Sequence, residues 1–192
     1  LWTLAEARAV EFKKSESFDK LRSHIVTTTM ALSNLRGGGC IIVGVAGSSV
    51  GLTRTGISKQ DLESYDADKV TAEINNFASP AVDVVVARVG HEGQEYLVIW
   101  AREFDRTPVL CKRDGAWGET KIFAGSMYVR PPGLAETRRP QTAAELDEVL
   151  DLAAEKRAVY LLRMRDTLNA ASSSSINAAE HYDAELGEAS KL

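Results

Sequence analysis

Three sets of residues have the types and spacing to act on an anion. The first is Gly37-Gly38-Gly39, which follows Ser33, Asn34 and Arg36 and precedes the apolar run Cys40–Val45. Successive N–H groups of a bare turn can face a phosphate. A helix stop before a strand uses glycine as well, because glycine tolerates positive φ. No Gly-Lys-Ser/Thr follows, so the turn is not a Walker-type nucleotide loop. The second set is Glu11, Lys13 and Lys14. Glu11 and Lys13 read either as a surface ion pair or as a phosphate or metal contact at a sheet edge. The third is Arg36 and Arg130, whose planar guanidinium forks match phosphate oxygens, or else lie as solvated or paired surface charge.

Other candidates carry less. Lys14, Lys20 and Arg22 fit a solvated helix face, although Lys14 stands beside Lys13 and is kept with it as a phosphate contact. His24, His91 and His181 are scattered, show no partner in sequence and make no catalytic triad; they read as surface or loop histidines. Trp117 lies in a glycine-flanked loop, where it either stacks on a base or caps the core.

The elements that must position these groups follow from apolar periodicity. Val10–Lys13 alternates as an edge or half-buried strand does. Phe18, Leu21, Ile25, Thr28, Leu32 and Leu35 recur at helical spacing, which predicts a helix over 17–35. It ends at the glycines, and a core strand over 40–45 begins. Gly47–Ser49 reads as a turn and Val50–Leu52 as a short return strand. Ser58 and Asp61 open the next helical region, which breaks near Asp66 and stops at Pro80. Val82–Val89 and Glu95–Arg102 form a hairpin around Gly90–Gly93. Further strands are expected at 109–112 and 122–130. Thr142 caps a long helix with Glu145 at the capping-box position, running to about Ala171. Ser172–Ser175 then reads as a flexible link before a polar tail of weak helical potential. Strand, helix, strand, helices and several β-runs predict an α+β fold with a mixed sheet, its helices packed on it, and a long C-terminal helix.

Composition bounds the rest. The 192 residues are 44% hydrophobic, enough for a core, and no apolar run reaches the length of a membrane span. No secretory leader is expected, since Leu1–Val10 already carries Glu6 and Arg8; the start at leucine reads as a piece of a longer protein. Cys40 and Cys111 sit in apolar strands without a Cys-x-x-Cys or Cys/His cluster, which predicts reduced thiols in a cytoplasmic protein and no zinc site. The net charge is −4, but residues 141–192 hold ten acidic and five basic side chains, so the remainder is close to neutral. The first 36 residues carry four acids and six bases, which permits a locally basic face.

Glu6, Val10-Glu11-Phe12-Lys13, the helix end Met30–Gly38 with its Asn34-x-x-Gly37-Gly38, and Ile42-Val43-Gly44-Val45 together resemble the AlbA_2 (Schlafen AlbA-like) family, once described as a divergent AAA-type ATP-binding domain. Pro80, Tyr96-Leu97-Val98-Ile99, Pro108 and Gly125–Arg130 fit the later half, so the resemblance covers about residues 4–150. It implies a nucleic-acid-binding α+β domain fused to effector parts. In the Schlafen branch it implies a metal-dependent RNase site of two glutamates and an aspartate. Glu6 and Glu11 match that glutamate pair and are the catalytic candidates, with Mg²⁺ or Mn²⁺ as the cofactor. The aspartate position reads Ala46–Ser49, without a carboxylate; Asp61 or Asp66 would have to substitute in space.

The sequence is therefore read as an AlbA_2-like domain over 1–140, a packing or dimerisation helix over 141–171, and a tail over 172–192. The expected function is binding of DNA or RNA phosphates through Lys13, Lys14, Arg36, Gly37, Gly38 and Arg130, as a homodimer within a larger regulatory or defence protein. A metal-dependent endoribonuclease and an assembly module are the alternatives.

Overall fold

A computed structural model describes residues 8–48 and 51–189. In order, the chain forms β1 (Val10–Lys13), α1 (Phe18–Ser33), β2 (Gly39–Val43), β3 (Val45–Ser48), β4 (Gly51–Arg54), α2 (Lys59–Glu63), α3 (Ala67–Phe77), β5 (Ala78–Ser79), β6 (Val84–His91), β7 (Gln94–Ala101), β8 (Leu110–Cys111), β9 (Gly115–Trp117), β10 (Thr120–Ile122) and α4 (Ala143–Ala189). The main sheet has the order β1-β2-β7-β6. Its β1–β2 pair is parallel and the other two are antiparallel, which is the expected mixed sheet.

The alternation of side chains across a strand decides what the sheet buries. One face presents Ile41, Val43, Leu97, Ile99 and Ala101, all fully buried; α1 packs on β2 and β7, and α3 packs on β6 and against α1. Leu21, Ile25, Val26 and Met30 of α1 and Val70, Ile74 and Phe77 of α3 supply the facing stripes. Register places Glu11 opposite Ile41 and Lys13 opposite Val43, so both belong to this helix-facing side, on the edge strand. The other face packs Phe12 with Val45 and Tyr96 under the β3–β4 hairpin.

Local chemistry sets the boundaries. Ser58 and Asp66 cap α2 and α3 by accepting the N–H groups of Asp61 and Lys69. Gly44, at φ +114°, separates β2 from β3, so the predicted 40–45 strand is two. The β6–β7 hairpin turns tightly on Glu92-Gly93, both at positive φ, rather than on the wider Gly90–Gly93 loop. The predicted strand over 122–130 is replaced by the short β9–β10 hairpin and single bridges at Met127 and Val129.

Two compact units divide between Leu152 and Ala153. The first ten residues of α4 belong to the first unit, where Val149 and Leu152 are buried. Arg138 pairs there with Glu145, and Arg8 with Glu148. The second unit is helix, continuous through Ser172–Ser175 to Ala189. Its described side chains leave Val159, Leu161, Leu162, Met164 and Leu168 exposed. Among the described residues no helix is long and apolar enough to cross a membrane.

Candidate nucleic-acid interface

The side-chain cluster at the end of β1 is built around Glu11. An edge strand carrying an inward carboxylate needs partners for it, because an unpaired buried charge is prohibitively costly. Three arrive from separate elements. Arg130, from the segment after β10, donates Nη1–H to Oε2 at 2.6 Å. Lys13, two residues along the strand and on the same face, sets Nζ 2.6 Å from Oε1. His24, on the α1 surface above β1, sets Nε2 2.9 Å from the same oxygen. Burial favours the neutral acid, but the bonds from His24, Lys13 and Arg130 together outweigh it and pull the Glu11 pKa from 4.5 to about 2. The group is therefore a carboxylate, and the facing His24 Nε2 carries the proton.

Arg130 is the floor of this cluster. It is 0% exposed, and its Nε–H donates to the Arg8 carbonyl at 2.6 Å. Arg8 in turn donates its own Nε–H to the Arg130 carbonyl. Its reading as a surface phosphate contact gives way to that of a positioning residue: the guanidinium fork is spent on Glu11 and backbone oxygens. Thr28 and Thr137, 3.1 Å apart through their hydroxyls, close the buried side. Lys13 and His24 are half-buried with their outer parts in solvent, and Lys14 is exposed beside Glu16, 3.1 Å away.

The glycine turn is positioned elsewhere. The parallel register Val10↔Cys40 through Lys13↔Val43 puts the turn at the start of β1 and Lys13 at its end. At about 3.3 Å per residue the two lie roughly 16 Å apart along the strand. The glycines have a packing role. A Cβ on Gly38 would fall 2.2 Å from the Ala101 carbonyl oxygen, and one on Gly39 2.3 Å from that of Ala9. Gly37 sits at φ +81°, and its N–H is taken by the Glu103 carboxylate. Gly38 donates to the Leu35 carbonyl at 3.0 Å. An anion-facing amide is thus present at Gly37, and a carboxylate of the same chain occupies it. Asn34 has a structural role too, its buried amide bonding Val109 and the Tyr128 carbonyl. Arg36 is exposed on this turn.

The donor set at Glu11 does not fit Mg²⁺ or Mn²⁺. Both oxygens already accept charged bonds, and a divalent ion would sit against the Lys13 and Arg130 cations. Ala46 and Gly47 lie in β3 and bring no acid. Asp61 accepts from Ser15 and Ser58, and Asp66 caps α3, so neither substitutes for the missing aspartate. Glu6 lies outside the described residues. Among the described residues no three His, Cys, Asp or Glu side chains gather as a metal site.

Sequence reasoning missed His24 as a partner of Glu11. A signal was present: His24 lies three residues after Leu21 and four before Thr28, beside Ile25 on the buried stripe of α1. Trp117, the aromatic singled out for stacking, meets the Phe77 ring edge-on at 4.9 Å and is half-buried against the core.

The family model described as Schlafen, AlbA_2 matches residues 6–131. No curated protein matches the chain closely enough to count as a relative. Two solved structures are similar in part. The DIP2311 protein from Corynebacterium diphtheriae is 19% identical with a TM-score of 0.47, the match covering 73% of this chain and 23% of that one. The N-terminal domain of a RecG-related protein from Nitrosomonas europaea is 20% identical with a TM-score of 0.42, covering 72% of this chain and 87% of that one.

Proposed function

This chain belongs to the Schlafen AlbA_2 family, and on that premise we propose that it binds nucleic acid through backbone phosphates at the exposed end of β1. One observation carries the reading: a buried, Arg130-anchored carboxylate holds Lys13 and His24 on one oxygen at the protein surface. An ammonium has three N–H donors and Glu11 takes one, leaving Lys13 donors for a phosphate oxygen. His24 and the exposed Lys14 flank it. Because Glu11 fixes both groups in advance, little side-chain entropy is lost when a phosphate arrives. Arg36, at the other end of the strand, is a further contact on the same backbone. Arg130 acts from below, and Gly37 and Gly38 shape the turn rather than touch the ligand.

The reading extends to a cytoplasmic homodimer within a larger regulatory or defence protein. The observation favouring the dimer is the set of large apolar side chains left exposed on α4 beyond Leu152, of which Leu161, Met164 and Leu168, three and four residues apart, share one face.

Titration with labelled RNA and DNA across a salt series tests the phosphate contacts. The apparent affinity of the wild type should fall steeply with salt. Lys13→Ala with Lys14→Ala should weaken binding for every sequence and flatten the log–log slope by about 1.4 for a single strand or about 1.8 for a duplex. A slope unchanged by the pair, or no binding at ~50 mM salt, removes the reading.

A further inference from the structure

The β9–β10 hairpin carries a surface cavity of about 340 Å³ lined by Asp114, Gly115, Ala116, Lys121, Ile122 and Phe123. None of its lining residues belongs to the Glu11 cluster. Phe123 is 48% exposed, an unusual placement for a large aromatic ring one residue after the buried Ile122. The Arg139 guanidinium stands 5.9 Å from the Phe123 ring centroid, so the ring already has a cation beside it. The platform under the cavity is firm. Gly115 packs so closely on Phe77 that a Cβ would fall 2.7 Å from the ring, Trp117 abuts the same ring, and Asp114 accepts the Ala124 N–H at 2.8 Å.

We propose that this hairpin is a base-stacking site, in which Phe123 takes the face of one unstacked base of a single-stranded nucleic acid and Lys121 and Arg139 meet the flanking phosphates. The cavity offers an aromatic face, a carboxylate acceptor in Asp114 and a lysine. A nucleotide presents the complementary set: a π-face, an exocyclic amino donor and an anion. Charge agrees. Between residues 112 and 123 three basic side chains oppose two acidic ones, and Arg139 adds a fourth cation at the ring. Bases inside a duplex have both faces covered, so the site selects single strands, of RNA and DNA alike. The proposal rests on the phosphate-binding reading and specifies its substrate class.

Fluorescence anisotropy on the full chain, with a 12-nucleotide RNA, the DNA of the same sequence and the matching DNA duplex, tests it. Phe123→Ala should weaken both single strands about 5- to 100-fold and leave the duplex within twofold. Phe123→Trp should retain tight binding. Lys121→Ala should lower the single-strand salt slope by about 0.7. Because Phe123 is half in solvent, circular dichroism of the alanine variant should match the wild type, and the lysine arm stands independently of it. Single-strand affinity unchanged by Phe123→Ala, or an equal loss on the duplex, overturns the stacking site while the phosphate reading survives. A wild type that binds none of the three ligands overturns both.

Discussion

Replacing Glu11 with glutamine keeps the side chain's shape and removes the charge that Arg130 was buried to meet. Two estimates of the cost converge. The fall of the carboxyl pKa from 4.5 to about 2 corresponds to about 3 kcal/mol, at roughly 1.4 kcal/mol per pH unit. Leaving one partner of a buried ion pair without its counter-charge costs about 3–5 kcal/mol. In a chain of this size about 3 kcal/mol lowers Tm by roughly 6–12 °C. The pH dependence has a fixed sign. A depressed folded-state pKa contributes fully above 4.5, and the contribution is lost as pH falls from there toward 2. The gap between wild type and Glu11→Gln in urea denaturation should therefore be about 3 kcal/mol at pH 7 and shrink to roughly half of that or less at pH 3. Lys13→Met leaves the Arg130 pair intact and removes a half-exposed partner, so it should cost less than about 1 kcal/mol. A Glu11→Gln gap under about 1 kcal/mol at pH 7, or one that does not narrow with acid, would refute the electrostatic account of the cluster.

The remaining predictions concern the glycine turn and the helix. Gly38→Ala drives a Cβ into the Ala101 carbonyl at φ +71°, whereas Gly37→Ala meets nothing within 4 Å. The first should lower Tm severely or prevent soluble expression, and the second should cost about 1–2 kcal/mol for its backbone alone. Equal melting temperatures would show that packing is not why Gly38 is there. If the face of α4 carrying Leu161, Met164 and Leu168 joins two copies, light scattering should give twice the 20.9 kDa chain mass. Leu161→Glu with Met164→Glu should return it to the monomer, as should truncation after Leu152, which keeps Val149 and Leu152 in the core. A monomeric wild type removes the dimer reading.

By itself the sequence determined the α+β class, the β1–α1–β2 opening, the helix breaks at Asp66 and Pro80, the β6–β7 hairpin and the family. These follow from local signals: apolar period, caps and turn residues act within a few positions, so one chain displays them. It also named Glu11, Lys13 and Arg130, three members of one cluster, without showing which of them would face solvent. That was decided by long-range contacts. Arg130 lies 119 residues from Glu11, and its burial depends on a guanidinium finding that carboxylate and the Arg8 carbonyl together. His24 joined for the same reason, since the path of α1 over the edge strand is a packing outcome. The parallel register, which no local pattern encodes, set the glycine turn and Lys13 at opposite ends of β1. Trp117 and Phe123 lie on and beside one hairpin; only the core beneath it determined which ring turned inward and which stayed half in solvent.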